Sequence, residues 1–166
     1  MSFQKAVDFT LPQEGLLSMD EDDRGGLTKF GISQATYPDL DIAKLTYKEA
    51  LKIYEKDYWF FCRCHVMPAS LGICVFDVAV NHGGMAAGLL LQTSINAILG
   101  EDYLLEDSII GSRTLAAMAK CNTYRLCSKL LGLRLLYYDD IIDEDEDQEK
   151  FFEGWVNRTA DLLMYI

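Results

Sequence analysis

The chain has 166 residues and a net charge of −11, and half of its residues are hydrophobic. This length fits one domain with a small appended subdomain, and the apolar content is enough for a sizeable core. The acidic balance argues against non-specific nucleic-acid binding and against an electrostatic hold on an anionic membrane. No apolar run is long enough to cross a bilayer, and residues 1–8 carry no secretory signal of the usual kind. We therefore expect a protein made in the cytoplasm without a signal peptide.

The five cysteines do not predict a disulfide framework, because their number is odd and their spacing irregular. Cys62, Cys64 and His65 invite comparison with a zinc site. The cysteines are separated by one residue only, and no second ligand pair follows. Partly buried, reduced thiols are the better interpretation, and we expect no metal and no other cofactor.

The chain begins with a predicted helix over 3–14, where apolar residues recur at helical spacing. Glu14 closes this helix and lies on the same side as Phe3, because eleven residues make close to three turns. Pro12 is expected to distort the last turn, since it removes one backbone donor. Residues 16–33 lack helical periodicity and contain three glycines, which predicts a small β-hairpin.

Helices dominate the rest of the pattern. Thr46 and Glu49 form a capping box that opens a helix ending near Tyr58. Pro68 opens a central helix that is apolar nearly all round and ends at Gly83. Further helices are predicted over 85–99, 112–120, 123–138 and 150–165, with a linker over 101–111 and an acidic loop over 139–149. The sequence thus predicts a mainly α fold with one small β element.

The residues best suited to chemistry are Glu14, Asp23 and Thr28. Cleavage of a glycosidic bond needs a carboxylic acid to protonate the leaving oxygen and a second group that places water or stabilises charge. A partly buried helix end would keep Glu14 protonated near neutral pH. Asp23 could then face it across the hairpin, with Thr28 holding water. The alternative is that Glu14 only bonds backbone amides and that Asp20–Asp23 form a solvated turn.

Three further residues are candidates for substrate binding: Tyr58, Asp77 and Asn81. Asp77 and Asn81 lie one helical turn apart on an otherwise apolar helix, where they could reach a cleft floor or form a buried polar pair. Tyr58 and Trp59 could stack on sugar rings or belong to the core. His82 is interpreted as a packed, hydrogen-bonded residue rather than a base.

Several short motifs between residues 14 and 92 belong together. They are Glu14-Gly15, Asp20, Asp23, Gly25-Gly26, Thr28, Gly31-Ile32, Tyr54, Tyr58-Trp59, Phe76-Asp77, Val80-Asn81, Gly83 and Leu91-Gln92. Their order resembles the Glu-Asp-Thr triad of phage-type lysozymes and, more closely, the N-acetylmuramidases of glycoside hydrolase family 108. Leu16 and Leu17 depart from that family's E-G-G-Y motif.

The second half resembles the peptidoglycan-binding-like region that accompanies such domains. The matching residues are Asp107, Gly111, Thr114-Leu115, Gly154-Trp155 and Arg158. Ser108 stands where this pattern has glycine. The resemblance implies a lysozyme-like α+β catalytic region over 1–100, with the small hairpin after its first helix, and a helical C-terminal region over 101–166 packed on it.

The resemblance also implies an activity, namely cleavage of the β-1,4 bond between N-acetylmuramic acid and N-acetylglucosamine, with lysis of the bacterial wall. Glu14 would donate the proton, Asp23 would position water or stabilise charge, and Thr28 would assist. The expected partner is the glycan strand of peptidoglycan, bound by a monomer with no nucleic-acid or membrane partner. The protein would reach the wall or periplasm as a phage endolysin or by secretion.

Two other functions remain open at this point. A lytic transglycosylase would cut the same bond without water and leave an anhydro product. A non-catalytic protein would bind the wall or assist secretion.

Overall fold

The computed structural model describes residues 2–13, the backbone of 17–18, and residues 27–166. The described residues are mainly helical, as predicted. The helices are α1 (Ser2–Gln13), α2 (Tyr47–Tyr54), α3 (Ala69–His82), α4 (Gly84–Leu99), α5 (Ser112–Met118), α6 (Thr123–Glu144) and α7 (Phe152–Tyr165). No helix in these ranges is long and apolar enough to cross a membrane.

The predicted β element is a small antiparallel sheet of three strands after α1. Its strands are β1 (Leu17–Ser18), β2 (Thr28–Lys29) and β3 (Ile32–Ser33), with β2 in the middle. Antiparallel pairing over so few residues stabilises little by itself, so the sheet depends on its packing against the helices. This confirms a small hairpin after the first helix, enlarged by one strand.

The turn between β2 and β3 consists of Phe30 and Gly31, which both have positive φ, 55° and 73°. Two positive φ values in a two-residue hairpin loop match the right-handed twist of the strands. Glycine adopts this conformation freely, whereas phenylalanine does so at a cost. The Tyr54 hydroxyl offsets that cost by donating to the Phe30 carbonyl oxygen at 2.8 Å. The ring of Phe30 also packs edge-on against Tyr47.

Helix α3 is the centre of the fold, and it is buried continuously from Leu71 to Ala79. It packs against α1, α4 and α6. A helix apolar on all sides must be covered on all sides, so its neighbours come from both halves of the chain. α7 completes the cover by packing on α6 and α1. The predicted division of the chain at residue 100 stays a prediction.

The capping box of α2 is present, with Glu49 Oε2 accepting from the Thr46 amide at 2.9 Å and the Glu49 amide donating back to the Thr46 hydroxyl.

After Tyr54 the chain continues as π-helix from Glu55 to Phe60. Trp59 in this turn is 4% exposed. Its ring centroid lies 5.6 Å from that of Phe3 and 5.8 Å from that of Phe76. Of the two interpretations of Trp59, the structure supports the core.

The prediction of an acidic loop over 139–149 is wrong for its first part. α6 extends to Glu144, and a 3₁₀-helix covers Glu146–Phe151 before α7 begins. Acidic residues oppose the dipole at a helix C-terminus, but only by tenths of a kcal/mol each. Tyr138 is fully buried, and Ile141 and Ile142 are still half-buried. Removing this apolar surface from water outweighs that cost.

Candidate active site

Thr28 lies in the middle strand of the sheet. It is the predicted catalytic residue that falls within the described part of the chain, since Glu14 and Asp23 lie outside it. Thr28 pairs directly with Ser33 in β3. Directly opposed residues of an antiparallel pair project from the same face of a sheet. The Ser33 hydroxyl in turn lies 2.9 Å from that of Thr36. Thr28 and Ser33 therefore project from the same face of the sheet, and Thr36 in the following turn contacts Ser33.

The predicted position of Glu14 follows directly on α1. The stripe expected on this helix is confirmed for Ala6, Val7 and Thr10, which are buried, and for Phe3 and Leu11, which are half-buried against the core. α1 continues through Pro12 and ends at Gln13. Glu14 is thus the next residue in sequence after the helix, four residues after Thr10.

Tyr58 lies in the π-helical turn and is half-buried. Its ring centroid is 5.5 Å from that of Tyr54. Next to it, the Tyr37 hydroxyl donates to Asp57 Oδ2 at 3.1 Å. Burial, together with Tyr58 and the Asp57 carboxylate, raises the pKa of Tyr37 above its ordinary value. Tyr37 therefore remains a protonated hydroxyl, and no local pattern in the sequence indicates its pairing with Asp57.

A groove of about 520 Å³ opens beside this pair. Its lining residues are Thr36, Tyr37, Pro38, Asp39, Leu40, Lys52, Ile53, Lys56 and Asp57. Thr36, which lines the groove, contacts Ser33, the residue paired with Thr28 across the sheet. A concave surface with apolar walls and a few hydroxyl, carboxylate and ammonium groups suits a polar ligand such as a glycan. We call this the Tyr37 groove.

Asp77, a predicted substrate-binding residue, is fully buried in α3. Its Oδ1 accepts from the Thr10 hydroxyl at 2.9 Å and from Arg158 Nη2 at 2.8 Å. Its Oδ2 accepts from Arg134 Nη1 at 2.7 Å. Burial would raise the pKa of this carboxyl, but the two guanidinium groups outweigh that effect and hold the pKa below its usual value. Because the carboxylate has no exposed surface, direct contact with a sugar does not fit this structure, and the buried-pair alternative does.

Asn81 joins the same network. Its Oδ1 accepts from Arg134 Nη2 at 3.1 Å and from the Tyr138 hydroxyl at 3.0 Å. The next residue, His82, accepts from Arg134 Nε at 3.4 Å. Burial and the charge of Arg134 lower the pKa of His82 to about 3. His82 is therefore neutral and hydrogen-bonded, as predicted.

Four buried residues and the half-buried Asn81 form one hydrogen-bonded unit, which we call the Asp77 cluster: Thr10, Asp77, Asn81, Arg134 and Arg158. Arg134 is fully buried and came from no predicted motif. The sequence does contain one indication of it, because Arg134 is a single arginine within the apolar run of α6. A charge buried in such a run implies a buried partner. Arg158 appeared only as a motif match. The cluster connects α1, α3, α6 and α7.

A second polar unit shapes the loop before α5. The Gln92 amide donates to Asp107 Oδ1 at 2.7 Å and accepts from the Ser108 backbone amide at 2.8 Å. Ser108 has a φ of 66°, a conformation that favours glycine. This conformation accounts for the glycine that the peptidoglycan-binding-like pattern has where this chain has Ser108. Gly88 lies against the loop, because a Cβ there would come within 2.0 Å of the Ser108 carbonyl oxygen.

Comparisons with known proteins agree with this architecture. Residues 7–83 match the family Glycosyl hydrolase 108, and residues 88–160 match the family described as Predicted Peptidoglycan domain. The fold is similar to that in the structure of Brucella abortus SagA, with a TM-score of 0.82, 26% identity, and coverage of 98% of this chain and 92% of that one. No match was found among curated proteins.

The two family matches meet between residues 83 and 88, at the start of α4. The first match includes the positions of Glu14, Asp23 and Thr28, and together the matches indicate a lysozyme-like hydrolase that acts on peptidoglycan. The chain therefore combines a region that matches the glycosyl hydrolase 108 family, residues 7–83, with a region that matches a predicted peptidoglycan domain, residues 88–160.

Proposed function

We propose that the protein is an N-acetylmuramidase. Its substrate is the glycan strand of peptidoglycan, and it hydrolyses the β-1,4 bond between N-acetylmuramic acid and N-acetylglucosamine. One observation carries the proposal. A glycosyl hydrolase match spans the Glu14, Asp23 and Thr28 positions, and the strand that carries Thr28 lies in a small sheet directly after the helix that leads to Glu14.

The chemistry follows from the types of these side chains. Glu14, as general acid, gives its proton to the leaving oxygen of N-acetylglucosamine. Water adds to the anomeric carbon of N-acetylmuramic acid, which becomes a reducing end. Asp23 positions that water or stabilises the oxocarbenium-like transition state, and the Thr28 hydroxyl assists. These steps use side chains and water and invoke no metal or organic cofactor.

The remaining predicted residues act around this centre. Tyr58 and the Tyr37 groove supply hydroxyl donors and apolar surface for the sugar or for its peptide substituent. Asp77 and Asn81 support the site from within the core, because their contacts are to Arg134, Arg158, Thr10 and Tyr138. The protein acts as a monomer with no nucleic-acid or membrane partner. Peptidoglycan as substrate places its action at the cell wall or periplasm, reached as a phage endolysin or by secretion.

Clearing of a suspension of purified cell walls tests this proposal. We expect the wild type to reduce the turbidity and Glu14→Gln to do so at least about 100-fold more slowly, since loss of a general acid costs about 10²–10⁴ in rate. Glu153→Gln, on the exposed face of α7, is the matched control and should clear walls at the wild-type rate. Equal clearing by wild type and Glu14→Gln would exclude Glu14 as the acid. Binding to walls without clearing by any variant would favour a non-catalytic wall-binding protein.

A further inference from the structure

The Asp77 cluster spans the two regions that match different families. Thr10, Asp77 and Asn81 belong to the glycosyl hydrolase region, whereas Arg134 and Arg158 belong to the predicted peptidoglycan domain. Two short ion pairs to Asp77 cross between the regions, at 2.7 Å from Arg134 and 2.8 Å from Arg158. Charge-assisted bonds from planar guanidinium groups are among the more rigid contacts in a protein. The domain is thus built into the hydrolase region rather than loosely tethered to it.

The same carboxylate also holds α1. The Thr10 hydroxyl donates to Asp77 Oδ1 at 2.9 Å, and both side chains are 0% exposed. Thr10 lies in the last turn of α1, where Pro12 has removed one backbone donor. A turn with fewer internal hydrogen bonds depends more on tertiary contacts. The Thr10–Asp77 bond therefore fixes the segment that leads into residue 14.

The predicted peptidoglycan domain contacts α1 elsewhere too. The Tyr165 hydroxyl of α7 donates to the Lys5 carbonyl oxygen at 3.1 Å, and its ring centroid is 5.2 Å from that of Phe9. α7 thus supports the start of α1 directly, and it supports the end of α1 through Arg158, Asp77 and Thr10.

We propose that Asp77, Arg134 and Arg158 are positioning residues for the general acid. They act through Thr10 on the last turn of α1, which Glu14 follows directly in sequence. On this proposal, which rests on the function proposed above, the predicted peptidoglycan domain completes the catalytic site in addition to any contact with the wall. Placement of reacting groups dominates such chemistry, because an error of about 1 Å can cost 10²-fold in rate.

Thr10→Val tests the proposal with the least change in volume, since it removes the hydroxyl without altering charge. Thr159→Val is a matched control. Thr159 is also buried, but its hydroxyl donates to the Trp155 carbonyl oxygen of its own helix. We expect Thr10→Val to lower kcat about tenfold with KM within twofold of the wild type. Thr10→Ser, which keeps the hydroxyl, should restore most of kcat, and Thr159→Val should stay within twofold.

Outcomes separate this inference from the proposed function. Activity retained in Glu14→Gln would remove the proposed function. If Glu14→Gln is inactive and Thr10→Val is fully active, only the positioning role is overturned. Equal losses of kcat in Thr10→Val and Thr159→Val would overturn it as well.

A second readout needs no turnover. The ¹³C signal of the Glu14 carboxyl group, identified by its absence in Glu14→Gln, can be titrated by NMR. We expect its midpoint to move in Thr10→Val and not in Thr159→Val. Identical titrations in the two variants would contradict the proposal even for a protein that does not cleave walls.

Discussion

Asp77→Asn should destabilise the whole chain, because one carboxylate serves four helices. The substitution keeps the side-chain size but removes the charge that faces Arg134 and Arg158 at 2.7 and 2.8 Å. It also places an amide, which donates, against guanidinium groups that donate. Asp77 and Arg134 are both 0% exposed, so water cannot replace the lost interaction.

The expected cost follows from this burial. Removing one partner of a buried ion pair costs about 3–5 kcal/mol, since the remaining charge is not solvated. For a protein of this size, each kcal/mol lowers the melting temperature by about 2–4 °C. Asp77→Asn should therefore melt roughly 6–20 °C below the wild type. The cluster joins α1 and α3 to α6 and α7, so we expect one cooperative transition rather than separate melting of the two family-matched regions.

Differential scanning calorimetry and urea unfolding, followed by circular dichroism, measure this cost. Asp161→Asn is the matched control, since Asp161 is exposed on α7 and its substitution should change stability by at most about 0.5 kcal/mol. A loss below about 1 kcal/mol in Asp77→Asn would refute the assignment of the cluster as the main junction. Two separate transitions in the wild type would also contradict it.

Other predictions concern His82 and two glycines. The pKa of His82 is about 3 in the folded protein and about 6.5 in an unfolded chain. Unfolding below pH 6.5 therefore takes up a proton. The stability present above that pH falls by about 1.4 kcal/mol per pH unit as the solution is acidified toward pH 4. In His82→Gln, urea unfolding at several pH values should show a slope lower by about one proton, and an unchanged slope would contradict a neutral buried His82. Gly88→Ala should cost about 1–3 kcal/mol, because the new Cβ meets the Ser108 carbonyl oxygen. Gly132→Ala in α6 has open space and should instead stabilise by about 1 kcal/mol, so equal melting temperatures for these two variants would be inconsistent with the packing.

The sequence predicted those features that depend on neighbouring residues. The Thr46–Glu49 capping box, the apolar run of α3 and the end of the helix predicted over 85–99 are local signals, and each was confirmed. The small sheet was also predictable from glycine placement. The turn of the sheet was not predictable. The positive φ of Phe30 is stabilised by a hydrogen bond from the Tyr54 hydroxyl, which is distant in sequence.

Other features depend on contacts between distant residues, and these were missed. Asp77 was singled out as unusual in an apolar helix, but its partners Arg134 and Arg158 lie 57 and 81 residues away. The end of α6 was placed too early, because the charge run after Tyr138 outweighed the continuing apolar stripe in the pattern. The acidic run can be read from the sequence as a feature that disfavours a helix. The apolar burial that opposes it becomes visible only when the helix is seen packed in the structure.

The site shows the same division. Residue types and order pointed to Glu14, Asp23 and Thr28 as acid, second carboxylate and hydroxyl. Sequence could not show that Asp77 lies wholly inside the core, since a carboxylate one turn from Asn81 could equally have faced a cleft. The Tyr37–Asp57 hydrogen bond, between a loop and the π-helical turn, likewise has no local signature.

Mass spectrometry of the cleavage products, after borohydride reduction, tests the central claim most directly. Purified peptidoglycan is digested with the wild type and, in parallel, with Glu14→Gln. Hydrolysis by an N-acetylmuramidase predicts fragments that end in reduced N-acetylmuramic acid, formed by the wild type and absent with Glu14→Gln. Anhydro ends, which resist reduction, would show a lytic transglycosylase instead, and reduced N-acetylglucosamine ends would show cleavage of the other glycosidic bond.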